Sequence, residues 1–245
     1  MWKIFNFFIL TPTHINFYQK DNTFKEQAKE FGFIDSKRSV QSTFLDFDRD
    51  GDLDVFIINH VKNVSLLTKN TSPELTTNTL YRNDNGKFVD VTDKSGVGQY
   101  GFSIGVCVSD LNNDGWADIY VANDFMLSDF MYINQKNGTF KNEVKQRTGH
   151  VPMFSMGVDI SDINNDLLPD VYVADMASED HIRSKQNMGS MDVESFWQNI
   201  RMGEHYQFMF NCLQLNSSVG LFQEIAQLSG VAKTDWSWAP LIADF

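Results

Sequence analysis

The 245-residue chain has only two cysteines, Cys107 and Cys212. They are too few for a disulfide framework and have no metal-ligand spacing, so they read as two buried thiols. Basic residues are also scarce, with 20 Lys and Arg against 32 Asp and Glu and a formal net charge of -12. That deficit argues against a nucleic-acid partner, because phosphate binding needs a basic excess. No apolar run approaches the roughly 18 residues a membrane-spanning helix needs, so no transmembrane segment is expected. Met1 to Leu10 holds one Lys and a short apolar stretch broken by Asn6, without a small-residue cleavage site, and no export signal is evident. A Gly-rich phosphate loop, a nucleophile elbow and a catalytic Cys/His signature are all missing, and the chain does not read as an enzyme. What remains is a composition that is 42% hydrophobic, enough to build a core at this length.

The chain repeats itself. FLDFDRDGDLDVFIIN from Phe44, VSDLNNDGWADIYVAN from Val108 and ISDINNDLLPDVYVAD from Ile160 align without gaps. A second element recurs as NTFKE, GKFVD, GTFKN and GLFQE, and each of its Phe residues stands 22 residues ahead of an Asp (24 and 46, 88 and 110, 140 and 162, 222 and 244). Around each acidic loop lie a short apolar run, such as IGVCVSD, and a β-branched run, such as DIYVA, which predicts strand, loop, strand. TLYRN, FMYIN and CLQLN then lead through Gly-containing turns into the Phe strand, a second hairpin. The expected fold class is therefore all-β: four-stranded antiparallel blades of a partial β-propeller, with one helical insertion near residues 176–210. Within that insertion Val193, Phe196, Trp197 and Ile200 keep helical spacing.

The domain reading sets aside residues 1–12 as an unstructured or truncated leader and assigns 13–245 to the propeller. Its parts are a partial blade at 13–40, blades at 41–102, 103–154 and 155–235, and the start of another blade at 236–245. Both ends are expected to fall inside a repeat, so the isolated chain should associate through open strand edges or need further blades.

The acidic loops carry the chemistry. Asp46, Asp48, Asp50 and Asp54 fall at positions 1, 3, 5 and 9, with Gly51 at position 6 and the carbonyl of Asp52 at position 7. Alternate oxygens of this kind converge on one hard cation, and an all-oxygen donor set selects Ca2+ over zinc or copper. The second loop repeats the pattern with Asp110, Asn112, Asp114, the Trp116 carbonyl and Asp118. The third has Asp162, Asn164, Asp166, the Leu168 carbonyl and Asp170, but Leu167 replaces the Gly, so this site should be the weakest. Without a cation, crowded carboxylates repel one another. An EF-hand is excluded because its position-12 Glu is replaced by Ile57, Val121 and Val173 inside strand-like runs.

The motif D-x-[DN]-x-D-G-x-x-D followed by a strand resembles the FG-GAP and VCBS repeats of integrin α-subunit-like propellers. VANDFMLSDFMYINQKNGTF and NCLQLNSSVGLFQEIAQLSGVAKTDWSWAPLIADF look like the bacterial branch of the cartilage-acidic-protein (ASPIC/UnbV-associated) family. The resemblance implies a seven-bladed calcium-binding propeller, exported or displayed at the cell surface, that binds protein or glycan partners. Two further groups are weighed against simpler roles. His181, His205, Asp180 and Glu204 lack a ligand spacing and read as solvated loop residues, the alternatives to a binding module being a calcium-dependent polysaccharide-active enzyme that uses them or a purely structural surface spacer. Asn59, Asn123, Asp124 and Asp175 end the second strands, where they serve either a ligand or turn capping.

Overall fold

The computed structural model describes residues 8–11, 14–18, 23–33, 37–60, 77–125, 127–187 and 193–243. A first, three-stranded antiparallel sheet is made by β1 (Phe8–Thr11), β2 (His14–Tyr18) and β3 (Phe24–Glu26), and the short helix α1 (Ala28–Phe31) follows it. A second sheet runs β4 (Ser39–Leu45), β5 (Asp54–Asn59), β6 (Thr79–Asn83), β7 (Phe88–Asp90), followed by α2 (Thr92–Ser95). The third repeats that order with β8 (Ser103–Ser109), β9 (Asp118–Asn123), β10 (Phe130–Asn134), β11 (Phe140–Asn142) and then α3 (Val144–Arg147).

After a two-residue strand β12 (Val151–Pro152), the fourth sheet opens with β13 (Gly157–Ser161) and β14 (Asp170–Ala174). The chain then departs through β15 (Met176–Ala177), α4 (His181–Asn187), α5 (Val193–Met202) and β16 (Gln207–Phe208). It returns as β17 (Cys212–Leu215) beside β14 and closes the sheet with β18 (Gln223–Glu224). A last short strand, β19 (Asp235–Trp236), pairs with β15.

Three four-stranded antiparallel sheets in chain order make an all-β fold of propeller-like blades. Alternation explains why they stack. Side chains along a strand point to opposite faces in turn. In β9, Ile119 and Val121 join Phe56, Ile58, Leu80 and Tyr132 in one cluster, while Tyr120 and Ala122 join Met131, Ile133, Val171, Val173 and Phe222 in another. The third sheet is thus buried on both faces, which is why its strands read as continuous apolar runs rather than alternating ones. Each fully buried Val, Leu, Ile or Phe contributes about 1.5–3 kcal/mol.

The turn helices were not legible from periodicity, because four residues such as Thr92–Ser95 span barely one turn. They set the distance between blades. Gly32 and Gly96 end α1 and α2 with φ of 100° and 79°. A side chain at Gly32 would meet the Phe88 carbonyl oxygen at 2.2 Å, and one at Gly96 the Phe140 oxygen at 3.0 Å. Further along, the Phe222 N–H donates to the Arg147 carbonyl at 2.7 Å. The recurrent Phe strand therefore docks on the turn that closes the preceding unit.

One boundary needs correction. Within residues 1–12, Phe8–Thr11 is not unstructured but pairs with His14–Tyr18, in keeping with the strand propensity of an apolar run. At the other end, Trp236 belongs to β19, and the chain beyond it lies along β13 as β13 itself lies along β8, with the Ile242 N–H donating to Asp159 Oδ2 at 2.6 Å. Residues 244–245 lie outside the described set, and with them the Asp244 partner expected for Phe222.

Gly32→Ala should lower the unfolding free energy by about 2–3 kcal/mol, through both the left-handed φ and the clash with Phe88. Gly86→Ala, at φ 88° with nothing within 4 Å, should lose only about 1–2 kcal/mol. Urea denaturation of both variants checks this difference.

Candidate metal centre

All three acidic loops follow one backbone course. The position-4 residues Arg49, Asn113 and Asn165 have φ of 60°, 56° and 60°. Position 6 is again left-handed, at 92° for Gly51, 85° for Gly115 and 68° for Leu167. The first Asp of each loop holds this winding together. Asp46 Oδ2 accepts from the Gly51 N–H (3.2 Å), Asp110 Oδ2 from Gly115 (2.6 Å) and Asp162 Oδ2 from Leu167 (2.8 Å). The position-5 carboxylates do the same one step on, with Asp50, Asp114 and Asp166 accepting from Asp52 (3.0 Å), Trp116 (3.0 Å) and Leu168 (2.9 Å). Local side-chain bonds of this kind stabilise turns that a strand ladder cannot.

In the first loop, carboxylate oxygens of Asp46, Asp48 and Asp50 lie within 4.8 Å of one another. Oδ1 of Asp46, Asp48 and Asp52 are buried without a hydrogen-bond partner among the described residues. Such oxygens need a cation or a proton. Burial, then the Asp50 and Asp46 charges, raise the Asp48 pKa, and burial and Asp50 do the same at Asp52. The donor set is oxygen only, so it fits a hard divalent ion. In the other two loops an amide relieves the crowding: Asn112 Nδ2 donates to Asp114 Oδ2 at 2.9 Å and Asn164 Nδ2 to Asp166 Oδ2 at 3.0 Å. Lys136 adds a positive charge 3.2 Å from Asp114.

Position 9 has a task the sequence did not disclose. Asp54, Asp118 and Asp170 are fully buried. One oxygen of each accepts the position-2 N–H, from Phe47 (3.1 Å), Leu111 (2.9 Å) and Ile163 (3.0 Å). The other accepts a backbone N–H from the third strand, Asn83, Asn134 or Asn216, each at 2.8 Å. Asp54 stands outside the close Asp46, Asp48, Asp50 group. Burial pushes both Asp54 and Asp118 up to about 7 and raises Asp170. The same asparagines reach backwards. Asn134 Nδ2 donates to the Phe47 carbonyl (2.8 Å) and Asn216 Nδ2 to that of Leu111 (2.9 Å), tying each loop to the next blade.

Residues 66–121 and 110–173 each match the FG-GAP-like repeat family. No curated protein matches the chain. Each matched stretch of these repeats ends with an acidic loop and the strand after it, so the pattern and the loop geometry coincide.

The remaining expected residues separate. Asn59, Asn123 and Asp175 are buried caps: Asn123 Nδ2 donates to the Ser128 carbonyl (2.8 Å), and Asp175 Oδ2 accepts from Met153 and Phe154 (3.0 and 3.1 Å). Asp124 takes a bond from the Phe125 N–H (2.7 Å). Glu204 and His205 are not solvated. Glu204 accepts from the Ser128 N–H and hydroxyl, and the His205 N–H donates to Ser128 Oγ, which pins the insertion to the third sheet. Asp180 accepts the Arg183 N–H (2.7 Å) beside α4, and His181 is exposed. α5 covers the predicted Val193, Phe196, Trp197 and Ile200, and Phe196 stacks on Phe208 at 5.7 Å.

Two outcomes are expected. Leu167→Gly should stabilise the protein by up to about 1 kcal/mol in chelator, since Leu167 is 84% exposed and its left-handed φ yields no packing in return. Asp129 and Asp175 are held by burial at about 7 against 3.8 unfolded. Native protein therefore keeps protons that the unfolded chain releases, and stability should fall as pH rises from about 4 to about 7. Thermal melts in chelator check this, and Asp129→Asn should flatten the slope by at least about 2–4 °C.

Proposed function

We propose that this is a calcium-binding repeat protein of the exported or surface-displayed kind, acting as a binding or adhesion module for protein or glycan partners. Ca2+ occupies the first two loops and, more weakly, the third, through Asp46, Asp48, Asp50, Asp110, Asn112, Asp114, Asp162, Asn164 and Asp166. The carbonyls of Asp52, Trp116 and Leu168 complete the girdle, and Asp54, Asp118 and Asp170 close it with lone pairs left over from their backbone bonds. The observation that carries this reading is the convergence of the Asp46, Asp48 and Asp50 carboxylates in the first loop, where Oδ1 of Asp46 and of Asp48 are buried without a hydrogen-bond partner among the described residues. The ion joins the first two strands of a blade and turns repulsion into cohesion, and its binding free energy adds to folding.

The partner-binding part follows from the repeats and from the exposed aromatic side chains of Trp197, Tyr206, Trp236 and Trp238, a composition common at recognition surfaces. The finer likeness, to integrin α-subunit-like propellers and the cartilage-acidic-protein family, belongs to the same reading. Catalysis is not part of it. The insertion's acids and histidines are spread out, and Glu204 and His205 are spent on structural bonds. In the described residues no helix is long and apolar enough to cross a membrane.

Calorimetric titration of EGTA-treated protein should give two or three Ca2+ per chain, with dissociation constants around 10⁻⁴ to 10⁻³ M. Asp48→Asn should remove one equivalent. Absence of calcium uptake, together with a melting curve indifferent to EGTA, would refute the proposal. Glycan and protein arrays then separate a binding module from a structural spacer, for which calcium-loaded protein gives no hits.

A further inference from the structure

Three chemistry-bearing side chains from separate segments meet beside the fourth sheet, and none belongs to an acidic loop. His150 follows α3, Cys212 opens β17 and Glu224 closes β18, and one donor atom of each lies within 4.8 Å of the other two. His150 Nε2 is 3.8 Å from Glu224 Oε2. We propose that His150, Cys212 and Glu224 form a binding site for a borderline-soft divalent cation, Zn2+.

The three groups are held in place by bonds that leave their donor atoms free. Glu224 Oε1 accepts from the backbone N–H groups of Leu213 (3.2 Å) and Ala226 (2.6 Å), which anchors the carboxylate and leaves Oε2 toward the imidazole. The His150 ring is gripped edge-on by Phe208 and Phe210, at 5.1 and 5.3 Å, and its Nε2 is buried with no hydrogen-bond partner among the described residues. Cys212 is fully buried, and its one hydrogen-bonding contact among the described residues is a long one, 3.9 Å, to the Phe210 carbonyl.

Comparison between blades shows that this polar group is particular to the fourth sheet. The asparagines that cap position 9, Asn83, Asn134 and Asn216, put the three third strands in register. Two residues before them stand Tyr81, Tyr132 and Gln214; four before stand Thr79, Phe130 and Cys212. Where two blades bury a tyrosine, the third buries Gln214, whose Nε2 donates to the His150 carbonyl at 2.7 Å and whose Oε1 is buried without a partner among the described residues. Two buried polar atoms without partners among the described residues, His150 Nε2 and Gln214 Oε1, are costly inside a blade interface, and a metal ion held by the imidazole relieves that cost.

The donor set decides which ion. Thiolate and imidazole with one carboxylate suit zinc and do not suit calcium. Water or Gln214 Oε1 completes a tetrahedron, and His150 and Glu224, at 18% and 12% side-chain exposure, leave a route from solvent. Burial keeps His150 neutral, as a ligand must be, and raises the Cys212 thiol well above its usual value. Binding transfers that thiol proton to solvent as the S–metal bond forms, with no redox change.

Co2+ added to calcium-saturated protein is the probe, because it reports its ligands optically and the acidic loops are already filled. One equivalent should produce a thiolate-to-Co2+ charge-transfer band with intense tetrahedral d–d bands, and Zn2+ should bleach both. Cys212→Ala should abolish the charge-transfer band and Cys107→Ala should keep it. His150→Gln and Glu224→Gln should each weaken Zn2+ binding, measured against a chromophoric chelator, by at least about 10-fold. No thiolate band in folded protein, its survival in Cys212→Ala, or unchanged affinity in both of the other variants overturns the site. Calcium uptake is read separately, so either proposal can fail without the other.

Discussion

Every blade hairpin depends on one buried carboxylate that must be satisfied from two directions. Asp54, Asp118 and Asp170 each collect a backbone N–H from their own loop and another from the third strand. A buried anion in such a place is tolerated only because those donors are fixed by the strands on either side. The acidic loop, the first hairpin and the third strand are therefore one cooperative unit. The loops' charge and the sheets' pairing cannot be considered apart, since the residue that closes the loop also registers the ladder.

Packing extends this unit sideways. Strands such as β9 show each neighbour a different apolar set, Ile119 and Val121 to one side and Tyr120 and Ala122 to the other. Asn134 and Asn216 add directed bonds to the preceding loops, so burial sets the strength of the contact and the amides set its register. The glycines at the ends of α1 and α2 let the next Phe strand approach closely. Apolar area, amide bonds and close backbone contact all recur with the repeat.

Much of this was legible in the sequence because it repeats locally. The acidic loops, the four strands per blade and α5 each lie within a short window with a regular period. The four-residue helices were not, since Thr92–Ser95 is too short to show a period. Position 9 looked like a simple cation ligand because its partners, Asn83 and Asn134, are distant in the chain and their backbone N–H groups have no sequence signature. The meeting of His150 with Cys212 and Glu224 was hidden for the same reason: the two cysteines have no local ligand spacing, pairing of β17 with β18 brings Cys212 to Glu224, and the Gln214 bond to the His150 carbonyl ties the third segment to them. The strand at Phe8–Thr11 was not foreseen because a run of four residues is too short to show a strand period.

The unequal length of the units has one source. The second and third strands are joined by residues 60–78 in one blade, 124–129 in the next and 175–211 in the last, yet β14 and β17 pair as β9 and β10 do. Closing a longer excursion costs entropy only logarithmically, so the sheet tolerates it. That junction is a port through which a repeated scaffold can accept new cargo. One connection can lengthen there while the hairpin that carries the acidic loop keeps its form.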